Sequence, residues 1–205
     1  MTHSDRSRGP GDLLHCARGG NVVALGKLLD HYRNYLRVLA RLRLGTRLRT
    51  KLDCSDVVQE TCLKACEKFG QFRGQTEEEL LAWLRRILAT TLANMVRHHH
   101  AGRRDLRLEE KLAEELNVSS QALGQVIPGK EKSPSQQAGR REQGVLLANA
   151  LESLPEHYRQ VLLLRHLKGQ SFPQIAREMK RTVGSVEKLW VRALASLRET
   201  LGETP

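Results

Sequence analysis

Hydrophobic residues recur with helical spacing along most of the chain, and the clearest pattern lies near the C-terminus. One short stripe has the spacing of an amphipathic helix and consists of Phe172, Ile175, Ala176 and Met179. After a polar break at 180–182, a longer stripe comprises Val186, Leu189, Trp190, Ala193 and Leu197. Two helices joined by so short a break must cross at a steep angle, so this pattern predicts a helix-turn-helix unit.

Capping residues support the same two helices. Ser171 followed by Gln174 has the form of a capping box, and Thr182 can accept from the first free amides of the second helix. Gly169 stands where the preceding helix must end. Trp190 lies on the apolar stripe, and its expected packing partners are Leu163, Leu167 or Ile175.

The second helix also has a polar face directed away from the stripe. Its candidate contact residues are Arg181, Thr182, Ser185, Glu187, Lys188 and Arg192. Such side chains reach phosphates and base edges when a helix enters a DNA major groove. An ordinary helical hairpin with a solvated polar face would show the same pattern.

The N-terminal half has three further helical stretches. A frayed tail over 1–11 precedes a pattern that starts at Asp12, breaks at 19–21 and continues to Leu39. Ser55 is the expected cap of the next helix, whose apolar side includes Val58, Cys62, Leu63, Ala65, Cys66 and Phe69. A loop over 71–78 and a capping box formed by Thr76 and Glu79 then introduce a helix over 77–100, with Trp83 on its core side.

The remaining pattern predicts an all-α protein of two helical domains joined by a flexible linker. Residues 12–104 form the first domain, 105–144 the linker and 145–205 a four-helix domain that contains the helix-turn-helix. Leu108, Leu112 and Leu116 allow one short helix in the linker, whereas 128–137 have no apolar period. No strand pattern appears.

Charge favours a polyanionic partner. The formal net charge is +11, and residues 1–104 hold 19 Lys and Arg against 10 Asp and Glu. Residues 105–144 hold 6 Lys and Arg against 7 Asp and Glu, and residues 145–205 hold 9 Lys and Arg against 6 Asp and Glu. Two basic blocks therefore flank a nearly neutral middle, as expected if both ends touch nucleic acid, although a basic surface alone would look the same.

Several other classes of protein lack support in the sequence. The apolar runs are too short to cross a bilayer and the N-terminus has no secretory signal, so we expect no membrane insertion and a bacterial cytoplasmic location. The four cysteines have no CxxC spacing and are expected to be buried thiols. His98, His99 and His100 point about 100° apart on a helix and cannot share one metal ion. We expect no metal, no cofactor and no small-molecule substrate.

The combination of motifs resembles the bacterial sigma factors of RNA polymerase, in particular the extracytoplasmic-function (ECF) group. The N-terminal block resembles sigma region 2 through the segments 56–60, 62–65 and 83–87, followed by Asn94 and Arg97. The C-terminal block resembles region 4 through Leu154-Pro155, Arg159, 161–165, 175–176, 184–186 and 192–198. The resemblance implies a non-enzymatic factor that binds core RNA polymerase and promoter DNA and directs transcription initiation.

The resemblance also implies roles for individual residues. Asp56, Gln59 and Glu60 would bind the clamp of core polymerase. The residues that would meet the minus-ten promoter element are Gln71, Phe72, Arg73, Thr90, Asn94, Arg97 and His98. An aromatic, an amide and an arginine on one loop can stack on and hydrogen-bond an extruded base. The outward residues of the second helix of the helix-turn-helix, from Arg181 to Arg192, would meet the minus-thirty-five element.

The chain departs from the family pattern at three of these positions. Thr90 stands where Asn is usual, Asn94 where Asp is usual, and Glu187 where a basic or polar residue is common. Glu187 would either accept from a cytosine amino group or repel a phosphate. The bases read by each domain, and the existence of an anti-sigma partner, stay open.

Two rival functions remain. A helix-turn-helix regulator that binds operator DNA as a dimer would need symmetric half-sites and no polymerase, and it would leave the patch from Asp56 to Glu60 without a purpose. A recombinase or nuclease would need a nucleophile or clustered carboxylates. Asp53 and Asp56 lie three residues apart, but no further carboxylate joins them in the sequence.

Overall fold

The computed structural model describes residues 9–44, 53–100, 106–125 and 136–202, and these residues form helices and connecting turns without a strand. The chain divides into two compact units. The first contains residues 1–40 and 52–117, and the second contains 41–51 and 118–205. The predicted all-α class is therefore confirmed.

Six helices lie between residues 10 and 125 of the described part of the chain. Their bounds are α1 Pro10–Arg18, α2 Val22–His31, α3 Arg33–Arg43, α4 Cys54–Lys68, α5 Glu77–His100 and α6 Leu106–Gln125. In the first unit α1 packs on α2 and α5, while α4 packs on α2 and α5. The fully buried side chains at their centre include Leu14, Leu28, Leu36, Leu80, Leu84, Leu88 and Leu92.

The start of the first unit follows the predicted pattern with small shifts. α1 begins at Pro10, two residues inside the expected tail. The predicted break lies at Gly20, which has φ +90°, and Asn21 caps α2 by accepting from the amide of Ala24 at 3.0 Å. Val22, expected on the apolar stripe, is 77% exposed because it precedes the first buried turn of α2.

Helix α4 differs from prediction in its cap and its buried face. Asp53, not Ser55, caps the helix, since its carboxylate accepts from the Ser55 amide at 2.8 Å. The buried residues are Cys54, Val57, Val58, Thr61 and Ala65. Leu63 is 53% exposed and Cys66 is also exposed, so both lie outside the core in which the apolar pattern placed them.

Much of the predicted linker is helical. α6 covers 20 residues, from Leu106 to Gln125, with Leu116 and Leu123 fully buried. The next helix begins at Gln136, nine residues before the predicted start of the second domain at Val145. The central part of the predicted flexible stretch, 126–135, lies outside the described residues.

The second unit contains the four helices expected near the C-terminus. These are α7 Gln136–Ser153, α8 Glu156–Leu162, α9 Phe172–Met179 and α10 Val183–Gly202. α8 continues as a π-helical turn over Leu163–Leu167, and Gly169 ends it with φ +63°. α10 packs on α7, α8 and α9. The core residues shared by these helices include Leu147, Leu151, Val161, Leu164, Ile175, Val186 and Ala193.

The cysteines are less buried than the sequence predicted. All four are free thiols: Cys54 is buried, Cys16 and Cys62 are half-buried, and Cys66 is exposed. Burial raises the pKa of Cys62, which keeps its thiol protonated.

The length and polarity of the helices bear on membrane insertion. None of the described helices is long and apolar enough to span a membrane.

Candidate nucleic-acid and partner surfaces

The outer face of α4 carries the residues predicted to bind a partner. Asp56 and Gln59 are exposed, and the side chain of Glu60 is 43% exposed and pairs with Lys64 at 3.0 Å. These positions recur at the three- and four-residue spacing that places them on one side of a helix. Leu63 falls on the same side, so an exposed apolar residue lies within an otherwise acidic and amide surface. The apolar pattern had placed Leu63 in the core, and its presence on this surface was therefore missed.

The loop before α5 presents two of its three predicted DNA residues. A 3-10 turn at Phe69–Gln71 leads into 72–75, where Gln71 and Arg73 are exposed and Arg73 donates to the carbonyl of Gly70 at 3.2 Å. The loop ends at the predicted capping box, in which the Thr76 amide donates to the Glu79 carboxylate at 3.0 Å and the Glu79 amide donates to the Thr76 hydroxyl at 3.2 Å.

Phe72 does not lie where its place on the loop predicted. Its side chain is 8% exposed, with ring centroids 5.7 Å from Phe69 and 5.2 Å from Trp83. A Cβ on Gly74 would overlap the Phe72 ring, so glycine lets the loop close over it. Phe72 therefore packs under the loop in the DNA-free protein, and its stacking on an extruded base stays a prediction.

Trp83 also differs from its expected position in the core. It is half-buried, and its ring meets Phe69 edge-on at 6.1 Å as well as meeting Phe72. A cavity of about 380 Å³ lies between the loop and the α1–α2 turn. Its lining includes Arg18, Asn21, Leu25, Phe69 and Arg73. No sequence pattern indicated this cavity, because its walls are far apart along the chain.

The predicted face of α5 brings Thr90, Asn94 and Arg97 together. All three are half-buried, and the Thr90 hydroxyl donates to the Arg86 carbonyl at 3.1 Å. The Arg97 guanidinium donates to the Asn94 side chain, to the Ala93 carbonyl at 3.2 Å, and to a carboxylate oxygen of Glu109 at 3.5 Å. His98 lies in the same helix, but its side chain is outside the described residues.

The helix-turn-helix has the predicted caps and turn. Ser171 and Gln174 form the capping box, with a 2.8 Å bond from the Ser171 amide to the Gln174 side chain. Lys180 ends α9 in the left-handed conformation at φ 54°, and the Thr182 hydroxyl accepts from the Ser185 amide at 3.3 Å. These interactions fix where α10 starts, and they confirm the caps inferred from the sequence.

The outward face of α10 presents the predicted DNA residues together. Five of them are exposed: Arg181, Thr182, Glu187, Lys188 and Arg192. Ser185 is half-buried near the start of the helix. Exposed charged and polar side chains of this kind are those by which a helix contacts bases and phosphates in a major groove.

Trp190 lies in a cluster of rings, and its predicted packing against Leu163, Leu167 or Ile175 stays a prediction. Its indole N–H donates to Nε2 of His166 at 3.0 Å, and its ring meets Phe172 edge-on at 5.6 Å. The Arg165 guanidinium lies 4.6 Å from the centre of the Phe172 ring. This cluster joins α9 and α10 to the turn that follows α8. Partial burial, followed by the nearby Arg165, lowers the pKa of His166, which favours the neutral ring that accepts from Trp190.

Two family descriptions match the chain. Sigma-70 region 2 matches residues 28–101, and Sigma-70, region 4 matches residues 145–197. The ECF RNA polymerase sigma-E factor of Haemophilus influenzae is 30% identical over 185 residues, which cover 88% of this chain and 89% of that protein. The chain belongs to the ECF RNA polymerase sigma factors. The predicted resemblance is thus confirmed, and the dimeric operator-binding regulator is not favoured.

Other members of the ECF group show more distant similarity. The ECF sigma factor BldN of Streptomyces coelicolor is 27% identical over 190 residues, 93% of this chain, and this chain spans 65% of BldN. A solved structure of the RsbN-BldN complex is 20% identical, covers 92% of this chain and 99% of that chain, and has a TM-score of 0.33. The region 2 match ends at residue 101 and the region 4 match begins at 145, so α6 belongs to neither.

Proposed function

We propose that this ECF sigma factor docks on core RNA polymerase through the outer face of α4 and recognises promoter DNA through α5 and α10. The observation that carries the proposal is the division of polar surfaces: Asp56, Gln59 and Glu60 share one face of α4, while the cations of α10 share another surface in the second unit. An acidic and amide face suits a basic partner, whereas the cationic face of α10 suits DNA.

For the minus-ten element, Gln71 and Arg73 supply hydrogen-bonding groups on the loop, and Thr90, Asn94 and Arg97 supply them on α5. His98 completes this set on sequence grounds. With Phe72 buried, the loop acts through its amide and guanidinium rather than through an aromatic platform, while Phe72 holds the loop in shape.

For the minus-thirty-five element, the start of α10 enters the major groove. Ser185, Lys188 and Arg192 reach base edges or phosphates, and Arg181 and Thr182 anchor the phosphate backbone where the helix begins. Glu187 lies within this exposed set, where it selects for a cytosine amino group or disfavours a nearby phosphate.

The chain performs no catalysis of its own in this role. Core polymerase supplies the chemistry of RNA synthesis, and the sigma factor supplies the binding sites that position polymerase on the promoter. Its place of action is the bacterial cytoplasm, where both partners reside.

In vitro transcription from a genomic DNA library tests this function. Core polymerase with the purified chain is expected to give discrete start sites preceded by two shared sequence elements, and core polymerase alone is not. Absence of added starts would contradict the proposal. Tight binding of the chain alone to a palindromic duplex would support the dimeric regulator instead.

A further inference from the structure

The first half of α6 contacts α5 at two arginines, and one of them, Arg97, belongs to the face that the proposed function assigns to DNA. Asn117 accepts from Nε of Arg85 at 2.6 Å, and Glu109 accepts from Arg97 at 3.5 Å. The contacts run in opposite directions along the two helices, since the earlier residue of α5 meets the later residue of α6. The two contacts therefore place residues 109–117 antiparallel to α5, linked to it by long side chains about two turns apart.

The contact at Arg97 occupies the group that would meet DNA. The side chains of Arg97 and Glu109 are 16% and 15% exposed, so the ion pair is largely shielded from water. The same guanidinium also holds Asn94, a second residue of the proposed minus-ten face. A phosphate or base can accept a hydrogen bond from the Arg97 guanidinium only if it replaces Asn94 or Glu109, which accept from that group in the free protein.

The charge of this helical segment fits such a competition. Residues 106–117 contain four glutamates, at 109, 110, 114 and 115, and two cations, at 107 and 111. A carboxylate presents to a guanidinium the same paired oxygens that a phosphate presents. The segment is thus an acidic helix that places one carboxylate, that of Glu109, on an arginine proposed to contact DNA.

We propose that residues 106–117 are an autoinhibitory cover, in which Glu109 holds Arg97 in place of promoter DNA until the cover is displaced. This inference rests on the proposed function, because it regulates the minus-ten face of α5. The free protein then divides between a covered and an open state, and DNA binds only the open one, so the apparent affinity falls by the fraction that is open.

The test compares two glutamates that are neighbours in sequence. Glu109→Gln removes the charge that contacts Arg97, and Glu110→Gln removes the same charge from an exposed position beside it. Binding of the full chain to a fluorescein-labelled, random-sequence pool of single-stranded DNA is measured by anisotropy. We expect E109Q to bind roughly threefold to tenfold more tightly than the wild type and E110Q less than about twofold more tightly. Equal gains would overturn the proposal, because they would reflect net charge alone.

A second background separates this inference from the proposed function. In a chain that carries Arg97→Ala, adding E109Q is expected to give no further gain in DNA affinity, because the guanidinium that E109Q would release is already absent. A gain that persists in the R97A background would overturn the cover. Missing start sites in the transcription assay, together with a gain specific to E109Q, would refute the sigma function while leaving the cover intact.

Discussion

Phe72 lies beneath its loop rather than on it, and this position has an energetic consequence. Phe72→Ala removes a ring packed against Phe69 and Trp83, so we expect a loss of about 3 kcal/mol in unfolding free energy. The exposed neighbour Gln71 offers a matched control, and Gln71→Ala should leave stability within about 0.5 kcal/mol of the wild type. Denaturant unfolding followed by circular dichroism measures both. A stable F72A variant would return Phe72 to the surface role that the sequence suggested.

His166 connects pH to the packing of the helix-turn-helix. Its pKa is lowered in the folded protein, so the unfolded chain binds the proton more readily. Stability is therefore full above the unfolded pKa of about 6.5 and falls as the pH drops toward the lower folded value. Melting temperatures measured between neutral and acidic pH should decline less steeply for His166→Gln than for the wild type. Parallel profiles would mean that the hydrogen bond from Trp190 does not respond to protonation.

At the scale of one element, α4 combines a buried side with an exposed polar side that we propose as the docking surface for core polymerase. Replacing Gln59 and Glu60 together with Ala should weaken binding to core polymerase by at least about 1 kcal/mol, because it removes two groups from one helix face. Glu114→Ala removes the same net charge from an exposed position on α6 and should have little effect. Surface-immobilised core polymerase provides the measurement. Equal affinities for the double variant and the wild type would refute α4 as the docking helix.

The role proposed for α10, contact with the minus-thirty-five element, can be tested by measuring DNA binding. Arg192→Ala should cost about 1–3 kcal/mol on a cognate minus-thirty-five duplex if the guanidinium forms a bidentate base contact. Arg198→Ala removes the same charge from a residue six positions later that lines a different surface of the helix. Affinities measured on cognate and scrambled duplexes distinguish a base contact of Arg192 from a phosphate contact. A uniform loss for R192A on both duplexes would identify a phosphate contact and reject base reading.

Across the whole molecule, the sequence predicted local features well, namely the helices and their caps. Helical periodicity and caps such as Ser171 with Gln174 depend on residues within one turn of each other, so they were readable in advance. Leu63 was misplaced because adjacent helical positions point about 100° apart, and the pattern assigned both Cys62 and Leu63 to the same side. The burial of Phe72 and the pairing of Arg97 with Glu109 depend on contacts between separate helices, for which a single sequence carries no signal.

The motifs also indicated the family, but the accessibility of the contact residues differs from one surface to another. Sigma region 2 and region 4 patterns were recognisable because they combine residue type with spacing. Exposure supports the proposed roles of Asp56 and Arg192, whereas Arg97 is engaged within its own unit. A motif thus indicates which residues are candidates for a function. The fold of the protein without DNA determines which of those side chains are exposed to a partner.

In the proposed function one chain recognises two promoter elements, and we expect this to depend on the covalent connection between its domains. Once either domain is bound, the other is held near its site at an effective concentration on the order of millimolar. A protease site inserted between Gln125 and Gln136 should leave activity intact until it is cut. Cleavage should then lower run-off transcription at nanomolar protein by more than about tenfold, since two weak contacts no longer reinforce each other. A chain carrying an uncleavable version of the insert controls for the insertion and the protease. Because residues 118–125 belong to the second unit, gel filtration must show that the cleaved fragments separate, and full activity of separated fragments would show that the connection contributes nothing to promoter recognition.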